Sequence, residues 1–348
     1  MQQLDFVMDQ KPDLEEKKRE KTVKLTNQSR DVKKNKEYPG TSIKVSVAIP
    51  CYNHGKFLMG AIRSVLKSNF KDYEIIIVND GSKDPLTLEV FREIEDKFEN
   101  EERVKVIHQD NLGLADARNN AIRMSKGEYI LALDADNRIR PGYLNKAVQI
   151  LDRYPEVGVV YAYAKIFGDE DPHVISFGGK KGVRKFQVFD GKTLLVNNFI
   201  DACSVLRKKV WEDCNGYDPD MGVMGYEDWD LWIGAMERGW KFHLIREVLF
   251  DYYVDRNSMV SGCNIPENRR HLIRYICKKH KDTYIKNLEH VIAEKDVRVL
   301  LAESRLLACE QLSKNVYVFI EALRILRSEG ISGLIRRVKE KVRCRMIG

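Results

Sequence analysis

From Ile43 onward the chain alternates short apolar runs rich in β-branched residues with stretches whose apolar residues recur every three or four positions. Val45 to Cys51, Glu74 to Asn79, Val104 to His108, Glu128 to Leu133 and Val157 to Ile166 read as buried strands. Between them Phe57 to Leu66, Leu86 to Phe98, Leu114 to Met124 and Tyr143 to Leu151 read as helices. Strand and helix in alternation predict an α/β fold, a mostly parallel sheet with helices on both faces, because parallel strands need crossover connections. Beyond Gly262 strand-like runs give way to Leu, Ile and Val at helical spacing, most clearly between Glu289 and Leu326. Three regions follow: a charged, flexible lead-in over 1–42, an α/β domain over 43–262 and a helical extension over 263–348.

The composition, 43% hydrophobic and 32% charged in 348 residues, fits a globular chain with a sizeable core. No apolar run approaches the roughly 18 residues needed to cross a bilayer. The first 20 residues carry charges throughout and lack the apolar core of a signal peptide, so a cytoplasmic location is expected. Seven cysteines, widely spaced and never C-x-x-C, predict reduced thiols rather than a disulfide framework or a zinc site. The net charge of +7 is modest, and nucleic acid is not among the expected partners.

Ligands of open α/β sheets bind at the carboxyl ends of the strands. There the first strand is followed by Pro50-Cys51-Tyr52-Asn53-His54-Gly55, the second by Asn79-Asp80-Gly81-Ser82 and the fourth by Asp134-Ala135-Asp136-Asn137. Tyr52 offers a ring for stacking on a base, Asn53 an amide or a helix cap, and Asp80 an acceptor for a base imide or an ordinary turn residue. Asp134 and Asp136, two positions apart in a segment read as extended, would point to one side, where a hard divalent cation relieves their repulsion; the other reading is a solvated acidic turn. Glu227 and Asp228 fall in the first turn of a helix whose apolar face holds Trp229, Trp232, Ile233 and Met236. Acidic residues there complement the helix dipole, and they equally suit a general base with a neighbour that orients it. His54, His108 and His243 show no ligand spacing and read as hydrogen-bonded histidines.

Taken in order, P-C-Y-N, N-D-G-S, N-L-G-L-A-D-A-R-N, D-A-D-N and Y-E-D-W-D-L-W resemble the family 2 inverting glycosyltransferases of the GT-A fold, over roughly Val45 to Gly262. The resemblance implies transfer of a sugar from a nucleoside-diphosphate sugar, by family frequency a UDP-sugar, to an acceptor hydroxyl with inversion. It implies that Pro50, Tyr52 and Asn53 surround the base and Asp80 bonds its edge. Gly113 and Arg118 would approach the nucleotide, Asp134 and Ala135 would line the ribose or sugar, and Asp136 with Asp134 would bind Mn²⁺ or Mg²⁺. Asp228 would be the base and Glu227 its support.

Three places depart from the family pattern: Asn215-Gly216-Tyr217 stands for G-G-F, Asn137 for a frequent Asp, and Asp255-Arg256 for the His or Arg that follows a Tyr in the closing segment. Arg256 is expected to reach the diphosphate. A sugar nucleotidyltransferase would need a Gly-rich phosphate loop after the first strand, which Pro50 to Gly55 does not resemble. A binding module without activity would have no use for both Glu227 and Asp228.

Charge is distributed unevenly: net +2 over 1–42, −4 over 43–262 and +9 over 263–348. In Ile331 to Gly348, six Lys and Arg accompany apolar residues at helical spacing. That pattern fits an anionic membrane surface, and it fits a terminal helix packed on its own domain or on a partner. On the membrane reading the enzyme sits peripherally on the cytoplasmic face and meets a glycan or lipid-linked acceptor in cell-surface glycan or glycolipid synthesis.

Overall fold

The computed structural model describes residues 43–168, 182–254, 262–307, 309 and 336–337. The charged lead-in, Asp255, Arg256 and most of the basic C-terminal stretch lie outside the described residues. All five expected strands and four expected helices form, with boundaries shifted by at most two residues. In chain order the elements are β1 (Val45–Cys51), α1 (Gly55–Leu66), β2 (Tyr73–Asp80), α2 (Pro85–Phe98), β3 (Val104–Gln109), α3 (Leu114–Arg123), β4 (Tyr129–Ala132), β5 (Arg138–Ile139), α4 (Tyr143–Arg153) and β6 (Val157–Gly168). There follow β7 (Val183–Arg184), α5 (Gly191–Val196), β8 (Val205–Arg207), α6 (Lys208–Asp213), α7 (Glu227–Glu237), β9 (Lys241–Val254), α8 (Pro266–Lys279) and α9 (Lys281–Lys286).

The sheet runs β3-β2-β1-β4-β8-β6-β9-β5, with β7 paired to β6. Its first half is parallel as expected, and β6 with β9 is parallel too. The ladders made by β8, β5 and β7 are antiparallel, so the complete sheet is mixed. β1 and β2 are buried at every position, which explains why apolar residues fill successive positions, and the polar residues Ser46 and Glu74 within them bond each other at 2.7 Å. Register aligns Cys51 with Asn79 and Asn79 with His108, so the loops after β1, β2 and β3 emerge side by side. The Leu133 N–H donates to Ala48 O, which brings Asp134 out at the same edge.

After Gly262 the chain is helical, as expected, through α8, α9 and residues 288–307. Helices α8 and α9 dock on α7 through ionic contacts. Asp230, almost fully buried, accepts from Lys279 Nζ at 2.8 Å and pairs with His280 Nε2 at 3.0 Å, while His280 Nδ1 meets Glu237 at 2.8 Å. Burial opposes a charge on His280, but Asp230 and Glu237 outweigh it and hold the imidazole above its ordinary value. A raised histidine stabilises the fold fully below its unfolded pKa of about 6.5, and the contribution disappears as pH rises through the folded value. Thermal unfolding followed from pH 6 to pH 9 is therefore expected to show a fall in melting temperature that is shallower in His280→Gln. Among the described residues no helix is long and apolar enough to cross a membrane.

Candidate active site

The loops at the carboxyl edge are tied to one another by the motif residues. Asn53, at φ +54°, accepts through Oδ1 from Lys83 N at 2.8 Å and Asp84 N at 3.0 Å, and its own N–H donates to Ser82 Oγ. Its amide therefore fastens the β1 loop to the β2 loop, and it does not cap its own helix. Asp80, buried at the end of β2, accepts from Gln109 Nε2, Leu112 N and Gly113 N at 2.8–3.0 Å, fixing the approach to α3. Gly81 permits this proximity: its φ is +67°, and a Cβ there would lie 2.5 Å from Asn111 N. Pro50 is buried within β1, whereas the Tyr52 ring is 44% exposed and open to a flat partner.

In the turn after β4, burial alternates as the spacing predicts. Ala135 and Asn137 are buried, while the side chains of Asp134 and Asp136 keep 31% and 23% of their exposure. The backbone here is not extended as expected: Asn137 N donates to Asp134 O at 3.0 Å and closes a turn, so strand alternation does not set the two carboxylates, although both act on Tyr252. Asn137 Oδ1 accepts from Tyr253 N at 2.9 Å, so the Asn that replaces a frequent Asp pins the turn to β9. His54 Nδ1 lies 4.0 Å from Asp136 Oδ2. His108, as expected, is hydrogen-bonded, to Asn79 and Glu95.

Arg118 joins the two acidic motifs. Its NH2 donates to Asp134 Oδ1 and its NH1 to Glu227 Oε1, both at 2.6 Å, from a side chain only 2% exposed. Burial opposes its charge, and Asp134 and Glu227 more than restore it. Glu227 is buried as well and accepts from Gly225 N at 2.7 Å through Oε2, so both its oxygens are engaged. Asp228 beside it is half-buried and accepts from Trp229 N at 2.7 Å and Asn198 Nδ2 at 3.0 Å. Burial, then the Glu227 charge, pushes the Asp228 carboxyl well above the usual range.

Residue Asn119, next in the same helix, holds the Asn215-Gly216-Tyr217 turn by accepting from Tyr217 N and Trp211 Nε1 and donating to Tyr217 O. Asn215 and Gly216 have φ of +59° and +88°, so Asn, the non-glycine residue that tolerates this region best, keeps the turn of the family pattern. A Cβ on Gly216 would fall 2.8 Å from Asn119 Oδ1. The Tyr217 ring packs 5.4 Å from the Arg118 guanidinium, and its hydroxyl is buried without a hydrogen-bond partner among the described residues. An unpartnered buried hydroxyl costs about 1–3 kcal/mol. Tyr217→Phe is expected to raise the melting temperature by roughly 2–4 °C per kcal/mol recovered, read by calorimetry.

Sequence reasoning missed Asn198, Asp201, Arg184 and Tyr252. Asp201, 9% exposed, sits 3.8 Å from Arg184 NH1. Burial raises it, and the charges of Arg184, Asp134 and Arg118 act on it. Tyr252 feels Asp201, Asp134 and Asp136. Five carboxylates (Asp134, Asp136, Asp201, Glu227 and Asp228) therefore share this edge with two guanidinium groups. Among the described residues no three His, Cys, Asp or Glu side chains form a metal cage. The donor set fits a divalent ion of the kind that takes one or two carboxylates and completes its shell with water and phosphate oxygens.

Residues 46–214 match Glycosyl transferase family 2. The chain resembles that family over just under half of its length. It is 36% identical over 130 residues to glycosyltransferase GlyG of Streptococcus pneumoniae, a match that spans 36% of this chain and 42% of GlyG. Solved structures share the fold. The Staphylococcus aureus TarS fragment 1–349 in complex with UDP-GlcNAc superimposes with a TM-score of 0.52 at 20% identity, over 67% of this chain and 65% of that one. Mannosyltransferase PcManGT of Pyrobaculum calidifontis, in complex with GDP-Man and Mn²⁺, superimposes with a TM-score of 0.50 at 16% identity, over 86% and 87%.

Proposed function

We propose that the chain is a metal-dependent inverting glycosyltransferase that moves a sugar, in the first instance from a UDP-sugar, to an acceptor hydroxyl of a cell-surface glycan or glycolipid. The observation that carries this reading is the line Asp134–Arg118–Glu227, which fixes the acidic turn relative to the start of α7 and leaves Asp228 beside it, held by Asn198 Nδ2 and Trp229 N, with a raised pKa. The UDP-GlcNAc and GDP-Man held by the structural neighbours support a nucleoside-diphosphate sugar as donor.

The chemistry is a single displacement. The acceptor oxygen attacks the anomeric carbon, the carbon–oxygen bond to the diphosphate breaks, and the diphosphate leaves with the electron pair. Asp228 takes the acceptor's proton; a base whose pKa is raised toward the working pH is suited to that transfer. Glu227, engaged by Arg118 and Gly225 N, holds the first turn of α7 and with it Asp228. Tyr52 stacks on the base, and Asp80 shapes the loop that Gly113 brings to the nucleotide. Mn²⁺ or Mg²⁺, held by Asp136 with Asp134, would supply the counter-charge for the departing diphosphate. The +9 charge of residues 263–348 supports an anionic membrane surface as the place where the acceptor is met.

A panel of UDP- and GDP-sugars, each with Mn²⁺, Mg²⁺ or EDTA, tests the reading by calorimetric binding and slow donor hydrolysis. One donor is expected to bind in a metal-dependent way and to release its diphosphate. Asp136→Ala is expected to weaken that binding at least about tenfold and to abolish its response to metal, as loss of a charged ligand implies. No binding across the panel, or binding indifferent to EDTA, would remove the metal-dependent reading.

A further inference from the structure

The base has a partner that no motif announces. Asn198 Nδ2 donates to Asp228 Oδ2 at 3.0 Å, and Asn198 Oδ1 accepts from Ile200 N at 3.2 Å. Because a backbone donor occupies Oδ1, the amide orientation is settled and the NH₂ group must face the carboxylate.

The segment that carries Asn198 is held against α7 by the helix's own tryptophans. Trp229 Nε1 donates to Leu194 O at 2.7 Å and Trp232 Nε1 to Ile200 O at 3.3 Å, one bond on each side of Asn198. Phe199 and Ile200 are buried in the core, and Tyr284 of α9 adds a bond to Leu195 O. The D-W-D-L-W run thus supplies an acid and, one and four residues later, the two indoles that seat that acid's partner. A donor anchored on both sides restricts the carboxylate to one rotamer far better than a solvated neighbour would.

We propose that Asn198 is a positioning residue for the general base, aiming the Asp228 carboxylate and holding it ionised. The inference rests on the assignment of Asp228 as the base. A hydrogen bond to the charged form of an acid favours that form, so loss of the amide should move the acid's titration upward. Burial, Glu227 and Asp201 drive Asp228 in the protonating direction, and the Arg118 charge and the Trp229 N–H oppose them.

Two variants separate positioning from simple anchoring. Asn198→Asp keeps an acceptor for Ile200 N and replaces only the donor that faces Asp228. Asn198→Ala removes both bonds. The readout is the pH profile of donor hydrolysis, with water as acceptor, Mn²⁺ present and the nucleotide sugar selected by the panel. Both folded variants are expected to shift the acidic limb upward by about one pH unit or more. Both should lower kcat at pH 7 by at least about tenfold and leave the KM for the donor within about twofold. Asn198→Asp should be the more affected of the two, because it sets a carboxylate against a carboxylate. An anchoring role alone predicts that Asn198→Ala loses melting temperature and kcat while its acidic limb stays at the wild-type pH. A wild-type acidic limb in either folded variant, with melting temperature and donor binding intact, overturns the proposal. Asp228→Asn in the same assay separates the two layers. If it hydrolyses the donor at the wild-type rate, the base assignment fails. If it is inactive while the Asn198 variants keep the wild-type limb, only the role of Asn198 fails.

Discussion

Asp228→Asn is expected to lower sugar transfer by about 10²–10⁴-fold, the range that a positioned general base supplies, with donor affinity kept within about twofold. The substitution is the mildest that removes proton acceptance. It preserves shape, and the amide oxygen still offers an acceptor to Asn198 Nδ2 or Trp229 N, both of which meet Asp228 in the native chain. Donor binding should survive because the residues assigned to the nucleotide and metal, Tyr52, Asp80, Asp134 and Asp136, belong to the β1, β2 and β4 loops and not to α7. The pH dependence follows from the direction of the shift. Burial and Glu227 raise Asp228, so the wild-type rate should climb with pH through that raised value as the carboxylate forms, and this limb should vanish in the variant. Parallel measurement of transfer and of calorimetric donor binding decides the matter: undiminished transfer removes Asp228 as the base, and lost binding makes it a donor residue.

The part of the site that was legible in the sequence is the part written in local pattern. β1 and β2 announced themselves because burial on both faces favours apolar residues at successive rather than alternate positions, as in Ile75-Ile76-Ile77-Val78. The Asp134–Asp136 pair was visible because it directly follows a buried strand, but a turn closed by Asn137 N on Asp134 O holds it, not the extended backbone the spacing suggested. Other features had no such signature. β8 is three residues long, and β9, with its charged residues and partly exposed positions, shows no clean alternation. Asn198 and Asp201 lie just before β8 and reach the site because the indoles of α7 hold their segment in place, a contact of more than 30 residues' separation. The roles of Asn53 and Asn137 were also hidden. Each looked like a local cap or a lost carboxylate, and each turns out to tie its turn to a different strand or loop. Arg118 could be marked from its motif, but its simultaneous grip on Asp134 and Glu227 depends on tertiary placement.

That grip sets the second large effect. Arg118→Ala is expected to destabilise the fold by about 3–5 kcal/mol, because deleting one member of a buried ionic group leaves the remaining charges uncompensated. At roughly 2–4 °C per kcal/mol for a domain of this size, the melting temperature should fall by about 10 °C. Lysine is no substitute: a single ammonium cannot span Asp134 and Glu227 with two hydrogen bonds of 2.6 Å from one rigid fork. The loss should be partly recovered by pairing an apolar residue with a neutral partner, since replacing buried ions by groups of similar volume is often tolerated. Arg118→Met combined with Glu227→Gln keeps an acceptor for Gly225 N and is expected to regain at least half of the lost stability. Activity should not return with it. The double variant leaves Asp134 without its guanidinium and α7 without its tether to the acidic turn, so donor binding and proton transfer no longer share one geometry. Calorimetry and donor hydrolysis measured side by side therefore separate what Arg118 does for folding from what it does for the site. A melting temperature within about 2 °C of wild type in Arg118→Ala would show that the buried ionic line contributes little, and recovered hydrolysis in the double variant would show that the coupling of the two acidic motifs is dispensable.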